Sequence, residues 1–540
     1  MQRKLAVIDA ETDPFKHGRV PAPFIWGFFD GDTFSKFVDT RDLVEFLRGQ
    51  TLTVYAHNGG KFDYMFMLDY IDDLADVKII NGRLAKFCIG DCEFRDSYNI
   101  LPVPLSVWDK EEINYNIMEA KHRDKGSNME RIVEYLKSDC INLYNMVTAF
   151  ISEYGKKLTI ASAAMAYWEG FSGQKAPATS PEFYATLKKY YYGGRVEAVK
   201  PGEHYKMLRL LDINSAYPHA MMSPHPYGGE MTISSRNADI EPTSFYDVSC
   251  ISLGAMPTRT KDGSLFFPRD KTARDYFITG HELMAALDTK TCQKLKVKKR
   301  VTFSKSINFE EYIKFFYNKR IAARKAKDKA GDLFSKLLMN SLYGKFGANP
   351  DKYKEYIVGS DNDVGLSELE NPPVELKGYR LGGVFGSRYL LQRDLPEEKK
   401  RYFNVATAAS ITGSVRAFLW RSMCQCEGLV YTDTDCILAK DVSGLAVGDK
   451  LGDWKHEGDY RYAAVAGKKL YALRPVDTAK PWKVASKGVR LSSDDIIGIV
   501  RGNTVVHKKE SPTFSLSRMT VSEEKMFVTR SMRMRVDKGD

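Results

Sequence analysis

The stretch Leu429-Val430-Tyr431-Thr432-Asp433-Thr434-Asp435-Cys436-Ile437-Leu438 sets an Asp-Thr-Asp centre between two apolar runs, the pattern of a β-hairpin carrying two carboxylates at its tip. Asp433 and Asp435 are two apart and, on an extended chain, face one side. A third acid, Asp212, ends the apolar run Leu208-Arg209-Leu210-Leu211, where an unpaired charge on a buried strand is costly and calls for a cation or a partner. Three carboxylates on adjacent strands can hold two Mg²⁺ ions about 4 Å apart, one activating a 3′-hydroxyl and the other neutralising departing pyrophosphate. The chemistry implied is nucleotidyl transfer. Acids also cap hairpin turns, so the Asp-Thr-Asp centre alone does not decide.

A run with few breakers from about Phe309 to Leu342 predicts one long helix, with Gly331 its one interior glycine. Lys336, Asn340 and Tyr343 stand at i, i+4 and i+7 and share a face, offering an ammonium to phosphates, an amide, and a ring to a base. Gly344 then permits close approach at the helix end. The basic segments Lys294 to Arg300 and Lys319 to Lys329 are flanked by Phe303, Phe315, Phe316 and Tyr317. That combination suits a phosphate backbone with bases stacked nearby.

A second acidic set lies towards the amino terminus. Asp9 and Glu11, two apart on a strand-like run, point the same way. Asn58 and Phe62-Asp63 follow across a short Gly59-Gly60 turn, and Tyr135 and Asp139 are i, i+4 on a helix. Taken alone, an acid-x-acid pair arises often by chance, and a Tyr and an Asp on one helix face are more often a solvated face with a half-buried ring. Phe62 and Phe66 either stack a melted strand end or pack in the core.

The chain has 540 residues, a net charge of +11, 43% hydrophobic and 28% charged residues, a soluble globular composition that excludes disorder throughout and allows about three to four domains. No apolar run approaches the roughly 18 residues of a membrane span, and Met1 to Lys4 leads into a short strand rather than a secretory signal. Eight cysteines without a CxxC pair argue against a disulfide framework or structural zinc and fit a reducing, cytoplasmic setting. From Lys4 to about Cys140 the pattern is α/β, with strands at Leu5 to Ala10 and Thr51 to Ala56, hairpin segments around Val77 to Asp96, and a helix from about Asn128 to Phe150. A strand-like Met207 to Ile213 follows. Two spans, roughly Met222 to Ser306 and Pro350 to Lys400, are too long for bare loops and are expected to fold as inserted subdomains.

The string Lys336-Leu337-Leu338-Met339-Asn340-Ser341-Leu342-Tyr343-Gly344 resembles the KxxxNSxYG motif of family B DNA polymerases. Asp212 to Pro218 resembles their DxxSLYP motif, with Ala216 in place of Leu, and Tyr431 to Asp435 their YxDTD motif. Tyr191-Tyr192-Gly193-Gly194 is similar to the YxGG motif, and Lys469-Leu470-Tyr471 to the KxY motif, of the protein-primed subgroup of small linear-genome phages. Glu11 to Phe28 looks closest to the tectivirus branch. In order, the amino-terminal acids resemble the DxE, NxxxFD-like and YxxxD motifs of proofreading exonucleases, with one extra Gly in the middle motif. Thr412 to Arg416 resembles the Tx2GR motif, with Val415 where Gly or Ala is expected.

The resemblance implies an α/β and α+β multidomain fold, an RNase H-like exonuclease domain joined to a right-hand polymerase of palm, fingers and thumb with two insertions. The implied boundaries are 1–159 for a 3′–5′ exonuclease domain, 160–225 for the first part of the palm and 226–308 for an insertion contacting the terminal protein. Residues 309–347 become the fingers, 348–400 a second insertion for processivity and strand displacement, 401–494 the rest of the palm and 495–540 the thumb. Asp212 and Asp435 are implied metal ligands with Asp433 beside them, and Asp9, Glu11, Asp63 and Asp139 hold the ions of the exonuclease site with Tyr135. Mg²⁺, or Mn²⁺, is the implied cofactor, two ions at each site. Lys336, Asn340, Tyr343 and Tyr217 are implied to bind the nucleotide, the Tyr217 ring leaving no room for a 2′-hydroxyl. Tyr191, Gly193, Gly194, Thr412, Arg416, Lys469, Tyr471, Asn58 and Phe62 are implied to contact DNA, Lys469 and Tyr471 sharing a strand face at the primer terminus. The implied partners are primer-template DNA, dNTPs and a terminal protein that primes replication, with no membrane and a monomer otherwise, in the cytoplasm of a bacterial host. Two other readings stay open: a stand-alone exonuclease on an inactive polymerase-like scaffold, and a non-catalytic module that binds nucleic acid or terminal protein. Tyr217 disfavours a reverse transcriptase or RNA polymerase.

Overall fold

The computed structural model describes residues 3–14, 20–107, 112–235, 239–509, 513–516, 519–520, 524–530 and 533–537. Residues 15–19 of the Glu11 to Phe28 stretch, and parts of 495–540, therefore lie outside the described residues. The strand Lys4–Thr12 runs parallel to Leu52–Ala56, which runs parallel to Cys92–Asp96. Ala6, Val7 and Ile8 with Val54, Tyr55 and Ala56 bury both faces, as parallel strands require. Antiparallel Pro23–Phe29 and Phe34–Phe37 continue one edge. Arg83–Ile89 and Asp76–Ile80 continue the other. The helix Asn128–Tyr154 crosses the sheet, and Leu136 and Cys140 press against Gly27, where a side chain would have no room.

The second long span does not fold by itself. Its strand Lys354–Gly359 pairs with Asp76–Ile80, and Arg388–Asp394 and Arg380–Phe385 follow, so the amino-terminal sheet reaches ten strands. Val358, Phe385 and Leu390 enter the same core as Ile8, Trp26 and Phe94. The first long span makes its own four-stranded antiparallel sheet, ordered His225–Ser234, Gln293–Ile307, Phe245–Ile251, Arg274–Thr279. The helix Gly280–Asp288 follows, its start closed by the reciprocal Thr279 and Glu282 capping box.

An antiparallel sheet ordered Lys483–Ser486, Leu470–Pro475, Trp454–Gly467, Leu208–Ile213, Cys436–Ala439, Tyr431–Asp433, Val196–Ala198 carries the acids read from the sequence. The almost wholly buried helix Val405–Cys424 packs between this region and the first inserted sheet. The single long helix expected from Phe309 to Leu342 is instead two, Glu310–Lys325 and Lys329–Phe346. Lys327 takes a left-handed backbone (φ +58°), and the Asp328 carboxylate accepts the Gly331 N–H at 2.9 Å, restarting the helix at a new N-cap. Asp332 then receives Arg320 and Arg324 across the turn, at 2.6 and 3.1 Å.

Candidate active sites

Leu211 and Asp212 pair with Ile437 and Cys436, so the end of the Leu208–Ile213 strand lies beside the Asp433–Asp435 turn. That turn is tight. Thr434 has φ +60° and its N–H donates to the Arg195 carbonyl at 2.6 Å, while the Asp435 N–H reaches back to Asp433 O at 2.6 Å. Asp433 thus ends its strand and Asp435 follows the left-handed Thr434, so the two are not alternate positions along one extended strand. Asp212, Asp433 and Asp435 line a cleft of about 530 Å³ together with Thr434, Cys436, Glu457, Lys469, Tyr471 and Lys483. Burial, then the neighbouring Asp435 and Glu457 carboxylates, push Asp212 up to about 7. Burial and Asp433 also raise Asp435. Such a crowd of carboxylates, two of them raised by burial and by their neighbours, fits a hard divalent cation, whose charge would relieve the repulsion.

Asp433 is engaged differently. Its Oδ2 receives the Lys469 ammonium at 2.6 Å and the Tyr431 hydroxyl at 3.2 Å. Lys469 and Tyr471 both line the cleft, but they do not share a strand face: Lys469 sits in the turn before Leu470–Pro475 with φ +54°, its N–H donating to Tyr431 Oη at 3.0 Å.

On the helix Lys329–Phe346, the Tyr343 ring stacks on Tyr217, centroids 4.5 Å apart and planes 3° from parallel. Both phenols are raised by burial and feel Asp435. Lys336 is exposed, and the Asn340 amide turns back to the Lys336 carbonyl at 2.7 Å. Neither is among the residues that line the cleft. Gly344 is not the helix end, since the helix runs to Phe346, but a side chain there would meet open space. Gly347 is the residue that needs to be glycine: a Cβ would come 2.5 Å from the Tyr191 hydroxyl. The YxGG segment thereby braces this helix.

Thr412 and Arg416 depart from the expected contact with template backbone. Both are buried, the Thr412 hydroxyl donating to Ala409 O at 3.1 Å. Arg416 pairs with Glu282 at 2.7 Å and donates to the Tyr192 and Gly193 carbonyls at 2.8 and 2.9 Å. A guanidinium that commits Nε to a carboxylate and Nη1 to two carbonyls inside the protein holds the YxGG loop, and burial keeps it from a phosphate on the surface. The basic segments are likewise partly spent on ion pairs, Lys298 with Asp275, Arg300 with Glu241, and Lys319 with Glu153.

In the amino-terminal domain, carboxylate oxygens of Asp9, Glu11 and Asp139 lie within 4.8 Å of one another. Asp63 joins them: its Oδ1 accepts the Ala10 N–H at 3.2 Å, and burial followed by Asp9 raises it well above the usual carboxylate range. This donor set also fits a hard cation. Asn58 sits at φ +63°, its side-chain oxygen taken by Arg83 at 2.6 Å, and Gly60 is packed against Leu84 O with no space for a Cβ. That accounts for the extra glycine in the motif. Phe62 meets Phe66 edge to face at 5.5 Å.

Sequence reasoning missed Tyr115, whose hydroxyl is 3.1 Å from that of Tyr135. It also missed Glu457 and Lys483, which neighbouring strands bring to the cleft from outside any motif, and Arg195, whose carbonyl holds the Thr434 N–H behind it. All eight cysteines are free, and no helix among the described residues is long and apolar enough to cross a membrane.

The family model for DNA polymerase type B, organellar and viral, matches residues 106–379. The chain is 37% identical over 508 residues to the DNA-directed DNA polymerase of Enterobacteria phage PRD1, covering 92% of this chain and 87% of that one. It is 26% identical over 508 residues to a probable DNA polymerase of Neurospora intermedia, covering 77% of this chain and 51% of that protein. Phi29 DNA polymerase complexed with primer-template DNA superposes with a TM-score of 0.73 over 97% of this chain and 99% of that chain, at 17% identity. The same polymerase with primer-template DNA and incoming nucleotide substrates also gives 0.73, over 99% of each. At that identity the superposition speaks for the fold.

Proposed function

The chain belongs to the family B DNA polymerases of protein-primed phages and is a DNA-directed DNA polymerase, and on that premise we propose that it replicates a linear genome from a terminal-protein primer and proofreads with a separate 3′–5′ exonuclease site. Its fold is the multidomain α/β and α+β arrangement expected for exonuclease plus polymerase. The observation that carries the reading is the pair of separate carboxylate sets, Asp212, Asp433 and Asp435 on one sheet and Asp9, Glu11, Asp63 and Asp139 on another.

Asp212 and Asp435 would hold Mg²⁺ or Mn²⁺ at the first site, and Asp9, Glu11, Asp63 and Asp139 at the second. Bound there, the ions supply charge neutralisation and a lowered pKa for the attacking oxygen. The chain's own groups do the rest. Lys336 offers an exposed ammonium to the triphosphate of an incoming dNTP, and the Tyr217 and Tyr343 stack forms a flat wall against sugar and base. Lys469 holds the Asp433 carboxylate in place beside the primer terminus through their 2.6 Å ion pair. Tyr135, hydrogen-bonded to Tyr115, orients the water that attacks the mispaired phosphodiester. The first inserted sheet is the surface for the terminal protein, and the second span closes a ring round the downstream template. The setting is the cytoplasm of a bacterial host.

Extension of a labelled primer with and without dNTPs tests both sites. Asp435→Ala is expected to abolish synthesis and keep degradation of single-stranded DNA, and Asp9→Ala with Glu11→Ala the reverse. Loss of both activities together in folded Asp435→Ala protein would defeat the two-site reading.

A further inference from the structure

We infer that Arg195 is a positioning residue for the Asp433–Asp435 turn, and that the first inserted domain sets its position. The inference rests on the reading of Asp212, Asp433 and Asp435 as the polymerising site. The turn has little support of its own: Thr434 is left-handed, and its N–H is held by the Arg195 carbonyl at 2.6 Å. Asp433 pairs with Val196, the next residue, and a Cβ on Gly194 would come 2.6 Å from Thr434 Oγ1. The acidic turn therefore rests flat on the Gly194-Arg195 backbone.

The Arg195 side chain is completely buried, which is rare for this residue type. Its guanidinium lies between the Phe267 ring at 4.0 Å and the Trp420 ring at 4.5 Å. Its Nε donates to Glu197 at 2.5 Å, and the other Glu197 oxygen receives Arg269, also at 2.5 Å. A planar cation in a slot of two rings and one carboxylate has a single orientation, which an ammonium could not copy. Fixing the side chain fixes the carbonyl that holds Thr434.

Phe267 and Arg269 come from the first inserted domain. The same segment reaches the opposite flank of the turn, where Leu265 O accepts the Lys468 ammonium at 2.8 Å. Lys468 adjoins Lys469, which pairs with Asp433 at 2.6 Å. One short segment of the insertion thus touches Arg195, Glu197 and Lys468, which support the catalytic hairpin, without presenting a group to the cleft. A displacement there moves the carboxylates, and misplacement by about 1 Å costs on the order of a hundredfold in rate.

Single-turnover incorporation on a primed template reads the role. Arg195→Met and Arg195→Lys should each lower the incorporation rate by about tenfold or more at unchanged burst amplitude, with primer-template and dNTP affinity within about twofold of the parent. Arg269→Ala, a change at a partly exposed side chain, should give a milder loss of about threefold with the same signature. It decides the matter if the Arg195 variants do not fold. A parental rate in the folded variants, or a reduced amplitude at the parental rate, would overturn the proposal, since the latter reports only fewer folded molecules. Asp435→Ala run in parallel separates the two readings: if it still synthesises DNA, the site assignment fails, whereas if it is dead and the Arg variants are normal, only the positioning role fails.

Discussion

Tyr217 is placed by a left-handed Ser215 and the short helix Ala216–Met221 that follows, so its ring lies flat against Tyr343. Replacing it with the β-branched but smaller valine opens the space beneath the sugar. Tyr217→Val should raise ribonucleotide use by more than about tenfold, relief of a clash worth over about 1.4 kcal/mol. Single-nucleotide kinetics with paired ribo- and deoxynucleotides measure it, and unchanged discrimination places the gate elsewhere. Glu93 shows a different use of charge, in stability. Burial opposes its ionisation, but Lys86 at 2.8 Å and Arg95 at 2.6 Å outweigh that and hold it at about 2. A folded pKa below the unfolded value of 4.5 means stability that is present above pH 4.5 and lost as pH falls towards 2. Its size is about 3 kcal/mol. Glu93→Gln should therefore flatten the acid limb of urea stability between those pH values, and a limb as steep as the parent's would assign acid lability to other carboxylates.

At the scale of elements, the break between Glu310–Lys325 and Lys329–Phe346 positions Lys336, Asn340 and Tyr343. Asp328→Ala removes the N-cap and should cost about 1 kcal/mol, seen as faster hydrogen exchange confined to the first turns of the second helix. Uniform protection across both helices would show that Arg320 and Arg324, gripping Asp332, hold the turn unaided. No glycine or proline marks this break, only the charged run Lys325 to Lys329, so periodicity read straight through it. The acids fared otherwise: that Asp212, Asp433 and Asp435 converge is legible because each lies at the end of a strand or in the turn beside it. Glu457, Lys483, Tyr115 and Arg195 are not, because strand pairing and turns bring them in from distant sequence. Lys469 was assigned to a strand because a positive φ in a lysine leaves no trace in composition. Arg416 reads from the resemblance as a DNA contact, because its partner Glu282 lies 134 residues away.

For the whole molecule, the second long span links three parts of the chain. Its strands complete the amino-terminal sheet, Ser387 and Arg388 hold Asp69 and Asp73 at 2.8 and 2.7 Å, and the Gly386 N–H donates at 3.1 Å to the carbonyl of Leu516. Leu516 also packs against the amino-terminal core. It lies between the short strands Thr513–Phe514 and Met519–Thr520, so a carboxy-terminal hairpin meets the tip of the span. In the proposed ring round the template this contact would close the loop, and dissociation would need an opening motion as well as broken phosphate contacts. Deleting Lys354 to Glu397 would remove Val358, Phe385 and Leu390 from a core they share with the amino-terminal domain, so the informative change is smaller. Leu516→Glu puts a charge against that apolar surface, a penalty of several kcal/mol if it stays buried, and should release the hairpin. Filling of a short primed gap should remain near the parental rate, because no group of either acidic site is touched. Strand displacement over kilobases of duplex should shorten by about tenfold per binding event, since each opening of the ring becomes an exit. Product lengths under a DNA trap measure this. A folded Leu516→Glu protein that still makes parental-length displacement products would mean that the contact between hairpin and span retains no DNA, and that the span serves the amino-terminal sheet alone.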